Sequence, residues 1–195
     1  MAVLKREILL ILVLVLAIAL LVRAMGFFKI NVEQADAAKF VSEDLSVKHP
    51  NADITILETK EFFNDNGGKY YEVKAKVTTG LYTPCPRRVH IYYNYPVQNF
   101  VPQPAEVITE NCAVCTEGTC ILNYPEEAII ASHIFKGTGD VAAFLKEYPS
   151  AAPTASDLGG GWLVKWDSVS SHYFYEVKID KNWVVLNVLR TNKEI

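Results

Sequence analysis

Basic charge is in short supply in this chain. Against 22 Asp and Glu stand 19 Lys and Arg, a formal net charge of −3 at pH 7. Nucleic-acid partners need a basic footprint to displace the counterions of the phosphates, so DNA and RNA are excluded as partners. The common chemical motifs are missing too. There is no H-E-x-x-H pair for a metal and no G-x-S-x-G elbow for a serine nucleophile. "LGGGW" (158–162) leads into a strand pattern, so its glycines offer an anion no helix N-terminus and read as linker or bulge. Ser168 and His172 of "SVSSH" are close in sequence but fall in a turn pattern, where nucleophile and base seldom meet. His49, His90, His133 and His172 lie near helix ends or on strands, in no metal-ligand spacing, and read as structural. No catalytic residue, metal or cofactor is expected.

What is present begins with a long apolar run, "ILLILVLVLAIALLV" (8–22), continuing through "RAMGFF" to Phe28 with only Arg23 interrupting it. A helix needs roughly 20 residues to cross the hydrocarbon core, and an Arg near its end can snorkel to the headgroups. A cleaved signal peptide would have a shorter apolar region, and Val22-Arg23-Ala24 is a poor small-x-small site. Lys5, Arg6 and the amino terminus outweigh Arg23 and Lys29, which places the start inside and the remainder outside. The run predicts a membrane anchor over 1–30. The chain is then a single-pass cell-membrane protein with an extracytoplasmic C-terminal domain.

Behind the run, two stretches share an order of signals. Asn31 reads as a helix cap with Gln34 in the capping-box position, and Pro50 stops the helix after "VKHPNA". "ADITILETKEFF" reads as a strand, "NDNGGK" as a turn, and "YYEVKAKV" as a strand with Tyr71, Val73, Ala75 and Val77 on one face. "RVHIYYNY" supplies a third strand. Pro125 then opens a second helix, "GDVAAFLKEYP" adds a short one, and "SAAPTASDLGGG" reads as a connector. The strands "WLVKWDS", "HYFYEVKID" and "WVVLNVLR" follow, with Trp162, Val164 and Trp166 on one face. "KEYPSA" echoes "VKHPNA", and "YFYEVKIDK" echoes "KYYEVKAKV", as an internal duplication would. The expected fold is α+β: an N-terminal transmembrane helix, then two helix-plus-antiparallel-sheet (α-β-β-β) repeats. Its domains are the anchor 1–30, a first unit 31–95, a cysteine-containing insert 96–123 and a second unit 124–195.

The order helix, H/Y-P-N/S-A, then hairpin ending in Tyr-Glu-Val resembles the PepSY-type domain, which shares its helix-on-sheet shape with cystatin-like domains. The resemblance is strongest over 33–77, weaker over 141–188, and does not include 96–124. It implies an extracytoplasmic module that binds proteins, often in peptidase regulation or other envelope processes. It carries over no catalytic residue.

Three of the four cysteines crowd into "NCAVCTEGTC" (111–120), and Cys85 lies upstream between prolines. A zinc reading has only Cys112 and Cys115 at knuckle spacing, although His90 is one strand from Cys85. A redox reading wants a thiolate at a helix start, but the stretch leads into strand and turn, and Glu117 opposes thiolate formation. A disulfide framework fits an even count in an exported domain. The short TEGT loop sets Cys115 opposite Cys120, leaving Cys85 to pair with Cys112. Closing that longer loop is worth on the order of 3 kcal/mol.

The aromatic, proline-rich segment 90–104 reads first as a strand with one face in the core running into an extended, proline-stiffened loop. It is also the first choice for a contact surface, with Tyr92, Tyr93, Tyr95, Asn99 and Phe100 as the candidate binding residues. The resulting expectation is a non-catalytic protein-binding module facing an envelope protein or a peptidase. Two alternatives stand beside it: a thiol-redox or zinc-binding protein using Cys112 and Cys115, and a structural subunit of a cell-surface assembly.

Overall fold

The structure, a computed structural model, describes residues 13–21, 33–97, 103–114 and 121–193. The chain divides into two units, Met1–Glu33 and Gln34–Ile195. In the first, residues 13–21 are helical and solvent-exposed. Among the described residues no helix is long and apolar enough to cross a membrane. The expected transmembrane helix is corrected on that finding. Residues 8–12 and 22–28 of the expected span lie outside the described residues.

The second unit holds two four-stranded antiparallel meanders, each with its own helices. Helix α1 (Gln34–Lys48) places Ala37, Val41 and Leu45 on one buried stripe at i, i+4, i+8. Its expected cap, Asn31, lies outside the described residues. Strand β1 (Asp53–Phe63) turns through Asn64, whose Oδ1 accepts the N–H groups of Asn66 and Gly68, into β2 (Lys69–Thr79). Tyr71, Val73, Ala75 and Val77 of β2 are all buried, matching their expected common face beneath α1. Strand β3 (Arg87–Tyr95) pairs with β2, and β4 (Glu106–Thr109) completes the order β1-β2-β3-β4.

The second sheet follows helices α2 (Pro125–Ile134) and α3 (Gly139–Glu147). Glu127 in the first turn of α2 accepts the N–H groups of Asn123 (2.8 Å) and Tyr124 (2.9 Å), which are orphan donors at that end. The strands are β5 (Ala152–Asp157), β6 (Gly161–Asp167), β7 (Tyr173–Asp180) and β8 (Val185–Asn192), in that spatial order. Trp162, Val164 and Trp166 are buried on one face of β6, as their alternation predicts. Both buried indoles are satisfied, Trp162 by the Leu122 carbonyl (3.0 Å) and Trp166 by Ser132 Oγ (2.8 Å).

The α-β-β-β expectation is thus corrected to four strands per sheet. The added strands come from segments read as insert and connector. Residues 106–109 pair with β3, and 152–157 pair with β6. Neither short, polar, proline-flanked segment carries the alternation that marks a strand, because each is an edge with one partner. The Tyr-Glu-Val echo falls on the second strand of one sheet and the third of the other. Both are inner strands whose central valines, Val73 and Val177, are fully buried.

Candidate functional site

Alternation along β2 and β3 gives the first sheet two unlike faces. One lies under α1. The other carries Lys74, Lys76 and Thr78 of β2 opposite Tyr92, His90 and Arg88 of β3, with Glu106 of β4 opposite His90. At one end of this second face the start of α2 closes over it, and a buried polar chain forms there. Arg88 Nη1 donates to Glu126 Oε2 at 2.9 Å, and Thr78 Oγ1 donates to Glu126 Oε1 at 2.6 Å. Arg88 Nε donates to His90 Nε2 at 3.0 Å, while the guanidinium lies 3.7 Å over the Tyr124 ring. All three of Arg88, His90 and Glu126 are buried.

The partners fix the histidine's proton. A guanidinium only donates, so His90 Nε2 is the acceptor and Nδ1 carries the hydrogen, given to Glu106 Oε2 at 3.0 Å. Burial pushes His90 below the usual imidazole range, outweighing the bond to Glu106, so the ring is neutral at pH 7. Burial pulls Glu106 the other way, but its bonds from His90, Lys74 and Tyr92 outweigh that and hold its carboxyl low. Burial raises Glu127, against the two backbone N–H bonds it accepts.

Beside this chain, a cleft of about 300 Å³ opens between the two sheets, lined by Asp53, Lys76, Tyr82, Glu126, Ile129 and Pro153 among others. Lys76 is paired with Asp53, and both oxygens of Glu126 are bonded. The charges lining the cleft are therefore committed within the protein, and its walls are mainly apolar.

The expected binding residues separate. Tyr92 is on the second face, its hydroxyl donating to Glu106 at 3.1 Å. Tyr93 and Tyr95 are on the α1 face: Tyr93 donates to Asp44 at 2.6 Å, and Tyr95 packs on Phe40 with ring centroids 4.7 Å apart. The bonds from Lys48 and Tyr93 hold Asp44 below its ordinary value. Asn99 and Phe100 lie outside the described residues.

Of the cysteines, Cys85 and Cys112 form the expected disulfide. Cys115 and Cys120 lie outside the described residues, so the predicted Cys115–Cys120 bridge and the Cys112/Cys115 alternative do too. The histidine beside the described pair is His133, not His90: its Nε2 is 4.0 Å from Cys112 Sγ. Sequence reasoning also missed Arg88 and Glu126. The same-face spacing of Arg88 and His90 was a legible signal; the carboxylate 38 residues away was not.

No family model matches the chain, and no curated protein matches it. Among solved structures, a putative lipoprotein from Clostridium difficile 630 is similar at 15% sequence identity and a TM-score of 0.21. The match covers 82% of this chain and 93% of that one. A likeness at that TM-score carries no argument about fold or function.

Proposed function

We propose that the chain is a non-catalytic protein-binding module that works outside the cytoplasm, and that it takes up an extended segment of its partner along β1. One observation carries this reading. Strand β1 is eleven residues long and forms the outer edge of its sheet, with no described strand on its far side. Typical strands run to about 5–6 residues, and a long open edge is a template for strand addition. Phe63 at its end is 65% exposed, and Phe62 stacks on Tyr70 at 5.6 Å, so the edge ends in an aromatic patch. The Cys85–Cys112 disulfide supports an oxidising compartment. The helix packed on the β1–β2 hairpin over 34–79 supports the PepSY-like reading of that stretch, and with it an envelope protein or peptidase as partner.

The test is in-cell crosslinking from a photoreactive residue placed at Phe63, with one at exposed Val169, in the turn before β7, as control. A single adduct from position 63, competed by excess unlabelled chain and absent at 169, is the expected result. Equal labelling from both positions, or none from 63, overturns it.

A further inference from the structure

The disulfide corner holds a group that strand addition does not use. His133 ends α2 with its Nδ1 3.1 Å from the Ile129 carbonyl. A carbonyl only accepts, so Nδ1 carries the hydrogen and Nε2 keeps its lone pair. That lone pair faces Cys112 Sγ at 4.0 Å, and a disulfide sulfur has no proton to give it. The ring is held in place. Trp166 packs edge-on to it at 5.6 Å, and the Trp166 indole is itself fixed by Ser132.

Both sulfurs are also preset. Cys85 lies between Pro84 and Pro86, whose rings fix the local backbone. Cys112 occupies a tight turn in which Ala113 N–H donates to Glu110 O at 2.8 Å. Asn111 (φ 53°) and Cys112 (φ 56°) are both left-handed there. That conformation costs an L-residue roughly 1–2 kcal/mol. The two sulfurs, bonded to each other here, and a His133 ring nitrogen lie within 4.8 Å of one another, so reduction has only to let the sulfurs part. A tetrahedral ion with bonds of about 2.0–2.3 Å to nitrogen and sulfur wants its ligand atoms roughly 3.5–3.8 Å apart. The carbonyl behind Nδ1 is the usual outer support of a metal-binding histidine.

We infer that Cys85, Cys112 and His133 form a redox-gated site for a thiophilic d¹⁰ cation, zinc being the type case. In the disulfide form the site is closed. A dithiol reductant opens it by delivering two electrons and two protons: the S–S bond breaks, two thiols form, and the reductant closes its own disulfide. The cation then binds two thiolates and Nε2, releasing both thiol protons to solvent, with water in the fourth position. Exposed Cys85 gives the reductant its point of attack.

The experiment uses the full chain carrying Cys115→Ser and Cys120→Ser, so that Cys85 and Cys112 are the sole thiols. Reduced with a phosphine without oxygen, it is titrated with Co²⁺ alone and then with Zn²⁺. The expected result is one equivalent of Co²⁺ with tetrahedral d–d and thiolate charge-transfer absorption, displaced by Zn²⁺. The oxidised chain binds none. His133→Gln, checked for native near-UV circular dichroism in its oxidised form, weakens binding by about tenfold to a hundredfold. A reduced, folded chain without the tetrahedral spectrum overturns the inference, as does His133→Gln with unchanged affinity. If reduction unfolds the chain, stoichiometric zinc is expected to restore the folded signal; failure to do so also overturns it.

Discussion

Arg88 ties four residues together in the buried corner of the first sheet. It bonds Glu126, His90 and Tyr124 at once, and its own N–H donates to Thr109 Oγ1 at 2.9 Å. With 5% of its side chain exposed and none of its partner's, removing the guanidinium leaves a buried carboxylate uncompensated. Arg88→Ala is expected to cost about 3–5 kcal/mol in urea unfolding. Arg88→Met with Glu126→Met should cost less than the sum of the singles, because neither charge is then left alone. His90 adds a pH dependence. Protonating Nε2 would set two donors, His90 and Arg88, against each other. Because burial lowers its folded-state value below that of the unfolded chain, the unfolded state takes up the proton first. Stability from His90 is therefore complete above about pH 6.5 and is lost as pH falls below it. His133 adds in the same direction. The urea midpoint should drop from pH 7.5 to pH 5.5, and less so in His90→Gln; an unchanged midpoint would contradict the buried neutral ring.

Hairpins give the elements their separate vulnerabilities. Gly161 opens β6 opposite Asp180, and a Cβ there would stand 2.2 Å from the Ile179 carbonyl oxygen. The crowding atom is backbone, so it cannot be relieved by a side-chain rotation. Gly161→Ala should push β6 and β7 apart and cost about 1–3 kcal/mol, read as a lowered Tm, whereas Gly160→Ala in the same turn meets nothing and should be nearly neutral. Legibility follows the same divide. Elements with a buried face wrote themselves into the sequence: the Ala37, Val41, Leu45 stripe, the Tyr71 to Val77 alternation, and the Trp162, Val164, Trp166 face. Edges β4 and β5 did not. Val107 is half exposed and β5 has one fully buried residue, Pro153, so neither needs an alternating pattern.

At the scale of the whole molecule, α2 packs against strands of both sheets, and a covalent tie closes one end of the first sheet. Cys85 and Cys112 are 27 residues apart, and their bond holds the turn after β4 to the loop before β3. Reduction, or Cys85→Ser, is expected to lower stability by about 3 kcal/mol on the chain-entropy account, measured by urea unfolding with and without reductant. This pairing was legible because loop length and cysteine count constrain it. The apolar run near the start was legible as composition only. Apolar content licenses a span of sufficient length, and among the described residues no helix is long and apolar enough to cross a membrane. By itself the sequence determined the α+β class, the inner strands and helices, and one disulfide, since each rests on local periodicity or spacing. Only the tertiary structure decided that Glu126 would meet Arg88, that His133 and not His90 would face the cysteines, and that Tyr92 would part from Tyr93 and Tyr95. Those outcomes depend on how α2 packs across a sheet formed by residues far from it in the chain, and no local pattern encodes that meeting.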